Sequence, residues 1–368
     1  MKLGLFMMPL HSPDRDYHTV LEEDQEAILL ADKLDFDEAW VGEHLTAKTE
    51  QITSPLIFLA SLANQTTSIK LGTGVLNLPH HHPAYVAGHA AMFDHLTKGR
   101  FLMGIGTGGL VSDFELFKTR EVRNRGEMLI ESIDMILAMW QQEPPYALHG
   151  KYWNIDVTDT FSEQLGLGYM ARPYQLPYPP IAISAMSPNS SSVRLAGERG
   201  WGPISANFIP PVHIATHWTQ YVAGCETAGR TPDPADWRVA QSIFVADTDE
   251  EAERHVKNLD GSMAFYYRYL RDQLVPAGLG GIFKSDPSMS DSDLTLDYFL
   301  DAMMIYGSPD TVAKKLCTLR ERIGDFGTLL VASHDWDDKA AWKRSMTLLA
   351  EDVMPQVRDK LANRAAAD

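Results

Sequence analysis

The chain has 368 residues, with 49 acidic and 32 basic side chains and a formal charge of −17. Hydrophobic residues make up 45%, a globular rather than disordered composition, and the acidic balance argues against nucleic acid as a main partner. No window reaches about 18 apolar residues, so no membrane span is expected. The two cysteines, Cys225 and Cys317, make no disulfide framework and point to a reducing, cytoplasmic compartment.

In chain order, short apolar runs alternate with helical patterns. Run 2–8 precedes a helix with Ala27, Leu30, Ala31 and Leu34 on one face. Run 38–42 leads to a loop holding Glu43 and His44, then a helix with Pro55 near its start and Leu56, Leu59, Ala60 and Ala63 on a stripe. Run 69–78 precedes a helix that starts near Pro83, buries Val86, Ala90, Phe93 and Leu96, and stops at Gly99. Run 100–105 ends in glycines, and its helix repeats Leu129, Ile133, Ile136, Leu137 and Trp140 before Pro144-Pro145. Residues 144–179, rich in Pro, Gly and Tyr, read as an irregular excursion. Run 180–185 is followed by a Ser-rich turn and a helix to Gly200. Run 202–206 precedes a helix with Ala215, Trp218, Val222 and Cys225 on one stripe. After run 237–246, Thr248 and Glu251 form a capping box. Residues 257–300 are less regular, Ser308-Pro309 opens another helix, and run 328–332 precedes a last helix burying Trp342, Met346, Leu349 and Val353.

Eight strand candidates, each followed by helix, imply a parallel sheet and predict an α/β fold, a (β/α)8 TIM barrel with insertions. Such a barrel takes roughly 250 residues, and the surplus fits the two irregular stretches and the tail. With no internal repeat and no clean linker, residues 1–368 read as one domain.

Several motifs admit more than one reading. Gly104-Ile-Gly106-Thr-Gly108-Gly109 matches a dinucleotide fingerprint, but it follows the fourth run and lacks the acidic residue of a second strand. In a barrel the same glycines sit at a strand end, where backbone can approach a planar ligand. The Ser-rich segment 184–192 suits either a phosphate at a helix N-terminus or ordinary capping. Three successive histidines, His80, His81 and His82, alternate in direction along an extended chain, and no metal site is expected from them. His44, just past the second strand, is either a proton-transfer group or a polar loop histidine. Arg125 is either a phosphate partner or part of a surface pair with Glu121, and by itself the sequence favours the pair.

The segments MKLGLFMMP, FDEAWVGEHL, IKLGTGVLNLPHHHPAYVA, DHLTKGRFLMGIGTG, SDFELF with NRGEM, PIAISAMSP, LAGERGWGP and YGSPDTVAKKL, in that order, resemble the bacterial luciferase-like flavin-dependent monooxygenases. HHHPAYVAGHAAMFDHL, GLVSDFELF, GKYWNI and SPNSSSVRLAGERGWGPISANFIP resemble the limonene-monooxygenase-like members most. The resemblance covers nearly the whole chain and implies a luciferase-like barrel that binds reduced FMN, with FAD or a deazaflavin as alternatives. His44 matches the family's catalytic histidine, and Gly74-Val75 matches a non-prolyl cis peptide that supports the flavin ring. Asn77 follows it at the ring edge, and Arg125 matches a phosphate-side arginine, which reverses the reading from sequence alone. Met186, Ser187 and Ser190 match positions that hold phosphate. Light-emitting members carry arginine where this chain has Thr107 and cysteine where it has Gly106. Residues 257–300 match a mobile lid, and Phe6 and Met8 are expected on the substrate side.

The resemblance implies oxygenation of a small apolar substrate (a terpene, aldehyde or ketone) by O2. The reduced flavin comes from a separate NAD(P)H-dependent flavin reductase, and a homodimer is expected. The alternatives are deazaflavin-dependent hydride transfer on the same barrel and a non-catalytic flavin-binding protein.

Overall fold

The computed structural model describes residues 1–120 and 124–365. The strand–helix alternation runs β1 (Lys2–Met7), α1 (Tyr17–Lys33), β2 (Glu38–Val41), α2 (Pro55–Leu62), β3 (Lys70–Thr73), β4 (Leu76–Asn77), α3 (Pro83–Leu96) and β5 (Phe101–Gly106). It continues through α4 (Val111–Leu116), α5 (Arg125–Gln141), β6 (Tyr146–His149), β7 (Asn154–Val157), β8 (Ile181–Ala185), α6 (Ser191–Arg199), β9 (Gly202–Ser205) and α7 (Pro211–Thr227). The rest comprises β10 (Arg238–Val245), α8 (Asp249–Val256), α9 (Ser262–Leu274), α10 (Leu296–Met303), β11 (Met304–Gly307), α11 (Pro309–Ile323), β12 (Thr328–Ala332), α12 (Lys339–Leu348) and α13 (Met354–Ala365). Among these described residues no helix is long and apolar enough to cross a membrane.

Local chemistry sets many of the boundaries. Asp16 caps α1 by accepting from the Thr19 amide at 2.9 Å, and Thr248 caps α8 through the Glu251 amide at 3.1 Å. Proline occupies the first turn of α2, α3, α7 and α11, where its missing N–H costs nothing. Gly200, at φ +72°, ends α6 in the left-handed conformation.

The chain forms two compact units, Met1–Ala39 with Ala182–Asp368, and Trp40–Ile181. In the first unit, β1 pairs with β12 in parallel (Lys2↔Thr328 to Phe6↔Ala332), and β12 pairs with β10. Strand β10 also pairs with β9 and β11, and β9 pairs with β8. The Asp37 amide, just before β2, donates to Leu3 O at 2.7 Å. In the second unit, Gly74 N donates to Val41 O at 2.6 Å, β3 pairs with β5, and Met103 N reaches Pro180 O at 2.9 Å. Strands β2 and β8 each contain a unit boundary. The parallel ladder is therefore β1-β2-β3-β5-β8-β9-β10-β12, with β12 back on β1. This is a (β/α)8 barrel, and its strands are buried apolar runs, as strands covered on both faces must be.

All eight expected runs are barrel strands, with differences in detail. Run 69–78 is broken: β3 ends at Thr73, β4 holds only Leu76–Asn77, and a 3-10 turn takes Leu78–His80. The excursion 144–179 contains the antiparallel β6–β7 hairpin. Segment 257–300 contains all of α9 and part of α10, with short 3-10 turns between them. Leu96 is 47% exposed and Ala60 faces solvent, contrary to their expected stripes. In α7 the buried face is Ile214, His217, Tyr221, Gly224 and Cys225, rotated from the expected stripe. His217 tolerates burial because Nδ1 bonds Ser205 Oγ at 2.8 Å and Nε2 bonds Ser187 O at 2.9 Å.

One charged pair braces the start of two first-unit strands. Glu38, 2% exposed, accepts from Arg238 Nε at 2.7 Å and Nη2 at 2.8 Å. Such a two-point guanidinium–carboxylate contact is strong and directional.

Candidate active site

In the second unit, β2 delivers Glu43 and His44 into the loop that follows it. His44 Nε2 lies 2.9 Å from Glu50 Oε2, and Nδ1 lies 3.4 Å from Asp113 Oδ2. Burial alone would push this imidazole down, but the two carboxylates outweigh it and lift its pKa to about 10. His44 is therefore an imidazolium at neutral pH, a donor at both nitrogens rather than a free base. Asp113 is almost fully buried in the first turn of α4. Its carboxylate accepts from His44, from the Leu45 amide at 3.2 Å, and from the Thr46 amide at 3.0 Å and hydroxyl at 2.5 Å. Against the cost of burial, these donors hold its pKa at about 2.

The pairing of His44 contributes stability below about 6.5, and that contribution is lost as pH rises through about 10. Asp113 contributes above about 3.8 and loses its contribution as pH falls through about 2. Glu50→Gln removes one of the two carboxylates and is expected to bring the His44 titration down from about 10 toward the ordinary range. Ring-nitrogen NMR against pH measures this directly, and an unshifted His44 titration would reject the assigned cause.

Glu43, 4% exposed, organises the neighbouring strand end. Its Oε1 accepts from the Asn77 amide and pairs with His81 Nε2, each at 2.8 Å, and the Asn77 side-chain amide donates to Glu43 O at 3.3 Å. Immediately before, the Gly74–Val75 peptide is cis, as the family resemblance implied. The three successive histidines diverge. His80 stacks on Phe117, His81 pairs with Glu43, and His82 caps α3 at the Ala84 amide. Among the described residues no group of three or more His, Cys, Asp or Glu side chains is arranged to hold a metal.

The glycines of 104–109 end β5, which is the barrel-strand reading. Gly104 is required by close approach: a Cβ there would lie 1.9 Å from Thr73 O, a backbone atom. Arg125 opens α5, with its guanidinium 3.8 Å above the Phe114 ring. Its Nε is buried and has no hydrogen-bond partner among the described residues, and burial pushes its pKa down. The alternative partner, Glu121, lies outside the described residues.

The remaining expected residues belong to the first unit. Phe6 lies in β1 and Met8 just beyond it, both half-buried. Met186, Ser187 and Ser190 follow β8: Ser187 is exposed, while Ser190 is buried and precedes α6. Ser190 Oγ contacts Ser192 Oγ at 3.1 Å rather than capping its own helix. Helix α7 braces this loop through His217 on Ser187 O and Thr216 Oγ1, which accepts from the Asn189 amide at 2.8 Å. A separate buried cluster joins His11 Nδ1 to Asp335 at 2.7 Å and His11 Nε2 to Asp24 at 3.4 Å.

The sequence did not single out Glu50 and Asp113, which hold His44, or His217, which braces the loop after β8. Asp113 lies within the SDFELF segment, so position in a family motif was an available signal.

A family model described as luciferase-like monooxygenase matches residues 1–325. The chain belongs to this family, and it is an enzyme, a luciferase-like monooxygenase. It is 31% identical to 3,6-diketocamphane 1,6-monooxygenase of Pseudomonas putida, covering 97% of this chain and 98% of the relative. The solved oxygenating constituent of that monooxygenase, in complex with FMN, matches with a TM-score of 0.87 at 31% identity, over 97% of this chain and 98% of the solved one. It is 35% identical to 4-hydroxyprotoasukamycin monooxygenase of Streptomyces nodosus subsp. asukaensis (98% and 93% covered). Limonene 1,2-monooxygenase of Rhodococcus erythropolis is 31% identical (99% and 92% covered).

Proposed function

We propose that this enzyme uses reduced FMN, delivered by a separate NAD(P)H-dependent flavin reductase, and O2 to oxygenate a small apolar substrate of the terpene or cyclic-ketone class. The observation that carries the chemistry is the His44 imidazolium held between Glu50 and Asp113 at the end of a barrel strand. Family membership and the likeness to an FMN complex support the cofactor.

The residues present fit a flavin phosphate. Arg125 brings a buried nitrogen with no partner among the described residues, and a cation of this kind needs an anion to complete it. In the second unit, Asn77 and the Gly74–Val75 turn would meet the ring and Arg125 the phosphate. By the family resemblance, Met186, Ser187 and Ser190 of the first unit are phosphate-side positions, and Phe6 and Met8 substrate-side ones. When bound, the reduced flavin supplies the activated oxygen.

The chain's own work is positional and protonic. Asp113 fixes one nitrogen of His44 and, through the Leu45 and Thr46 amides, the loop that carries it. At Nε2 the proton now given to Glu50 becomes available to a reacting oxygen when that contact is exchanged. The irregular stretch between α9 and α10 supports a role as a lid that limits water. A homodimer is part of the same reading, supported by exposed Tyr85, Met92 and Leu96 along α3 and Ile57 on α2.

Incubation with reduced FMN, O2 and a panel of monoterpenes and bicyclic ketones tests the reading, with a reduced-deazaflavin titration in parallel. Oxygenated product is expected with FMN. Tight binding of the deazaflavin alone, with no oxygenated product, would replace this reading with hydride transfer.

A further inference from the structure

His80 is the buried histidine of the second unit that the chemistry above does not use. It is 9% exposed, and its Nε2 is buried without a hydrogen-bond partner among the described residues. A buried ring nitrogen with no partner is costly unless a ligand completes it. The ring is held rigidly, stacked on Phe117 at 4.7 Å and edge-on to Phe114 at 5.8 Å. Phe114 is also the ring over which Arg125 lies, at 3.8 Å, with its own Nε buried and unpartnered among the described residues.

The turn after β5 adjoins the same rings. Gly108 has φ +81°, and a Cβ on it would lie 3.0 Å from both His80 Cε1 and Phe114 Cε1. At Gly109 a Cβ would meet nothing within 4 Å. Neither the Gly108 nor the Gly109 amide donates to an acceptor among the described residues. Two nitrogens without partners among the described residues, one of them cationic, thus gather around one aromatic platform, beside the Gly108 turn. That donor set is suited to a compact multivalent anion.

We propose that His80 is a second phosphate ligand, which with Arg125 and the Gly108–Gly109 turn receives a phosphate monoester. This rests on the proposed flavin reading and assigns the phosphate of FMN to this cradle. The groups facing His80 are Asp113 of α4, Glu43 after β2, its neighbour His81, and Arg125 of α5. Burial pushes the imidazole below its ordinary range; Asp113 and Glu43 oppose this, while His81 and Arg125 add to it. A bound dianion reverses that balance, so His80 takes up a proton when phosphate arrives, and affinity for the phosphate falls as pH rises.

Equilibrium titration with oxidised FMN and with riboflavin, between about pH 6 and pH 8.5, around the ordinary histidine range, tests this. In wild-type protein the preference for FMN over riboflavin is expected to decline with rising pH. His80→Phe is expected to weaken FMN about 10- to 100-fold while leaving riboflavin unchanged, the loss of one charge-assisted hydrogen bond. His80→Gln, which keeps an N–H donor but cannot titrate, should restore part of the affinity with a pH-independent preference. Should either variant misfold, ring-nitrogen NMR of the wild-type protein decides: the His80 signal must respond to FMN and not to riboflavin. An unchanged FMN preference in folded variants, or a silent His80 signal, overturns the assignment while the flavin reading stands. Failure of wild-type protein to bind either flavin, oxidised or reduced, overturns the flavin reading itself.

Discussion

Replacing His44 with alanine is expected to lower oxygenated product by about 10²- to 10⁴-fold, the usual worth of a positioned acid–base group. Flavin binding should remain, because the loop that carries His44 has other ties. The Asp113 carboxylate still holds the Leu45 and Thr46 amides, and His44 N itself donates to Ile52 O at 3.2 Å through backbone that alanine retains. What disappears is the imidazolium between Asp113 and Glu50. Single-turnover product yield, measured beside flavin affinity, separates the two effects. Unchanged product formation would remove His44 from the chemistry, and loss of flavin binding would make its role structural. At saturating reduced FMN the wild-type profile should stay level through neutral pH, because His44 remains protonated up to about pH 10.

Arg238→Met is the substitution expected to cost most in stability. It leaves the Glu38 carboxylate, 2% exposed, without the guanidinium that satisfies both of its oxygens. Removing one partner of a buried pair typically costs about 3–5 kcal/mol, because the surviving charge cannot return to water. The urea midpoint should fall accordingly. The double variant Glu38→Gln with Arg238→Met should recover part of the loss, since it removes both charges of the pair together. An unfolding free energy within about 0.5 kcal/mol of wild type, the range of ordinary surface substitutions, would contradict the assigned weight.

The barrel strands were legible in the sequence because each is covered on both faces and so reads as an unbroken apolar run. All six residues of β5 and all five of β12 are buried. Strand β11 was not legible: Met304–Gly307 follows α10 without an intervening turn, so its four residues blend into the helical pattern. The face of α7 was misjudged because hydrophobicity was taken as the guide to burial. His217 is buried there through two hydrogen bonds that depend on Ser187 and Ser205, residues supplied by other strand ends. The hairpin of β6 and β7 was masked by the turn-rich composition around it.

The site divides in the same way. His44 stood out because a histidine just past a barrel strand is at the catalytic face. The cis bond at Gly74–Val75 was expected only through family resemblance, and it is present. Arg125 was assigned to phosphate through family resemblance, and what the structure adds is that its Nε is buried with no hydrogen-bond partner among the described residues. The partners that set the protonation of His44 were not legible, because Asp113 comes from 69 positions away and Glu50 from an irregular loop. No period or local motif encodes such an approach; only the folded chain brings these carboxylates to one imidazole.

The central claim is that this enzyme transfers an oxygen atom from O2, and isotopic labelling tests it most directly. Reduced FMN, generated by a separate reductase, is mixed with the protein, a monoterpene or bicyclic-ketone substrate and ¹⁸O2, and the product is weighed by mass spectrometry. A product carrying one ¹⁸O atom is the expected result. An organic product whose oxygen is unlabelled, or one formed equally well without O2, would contradict it.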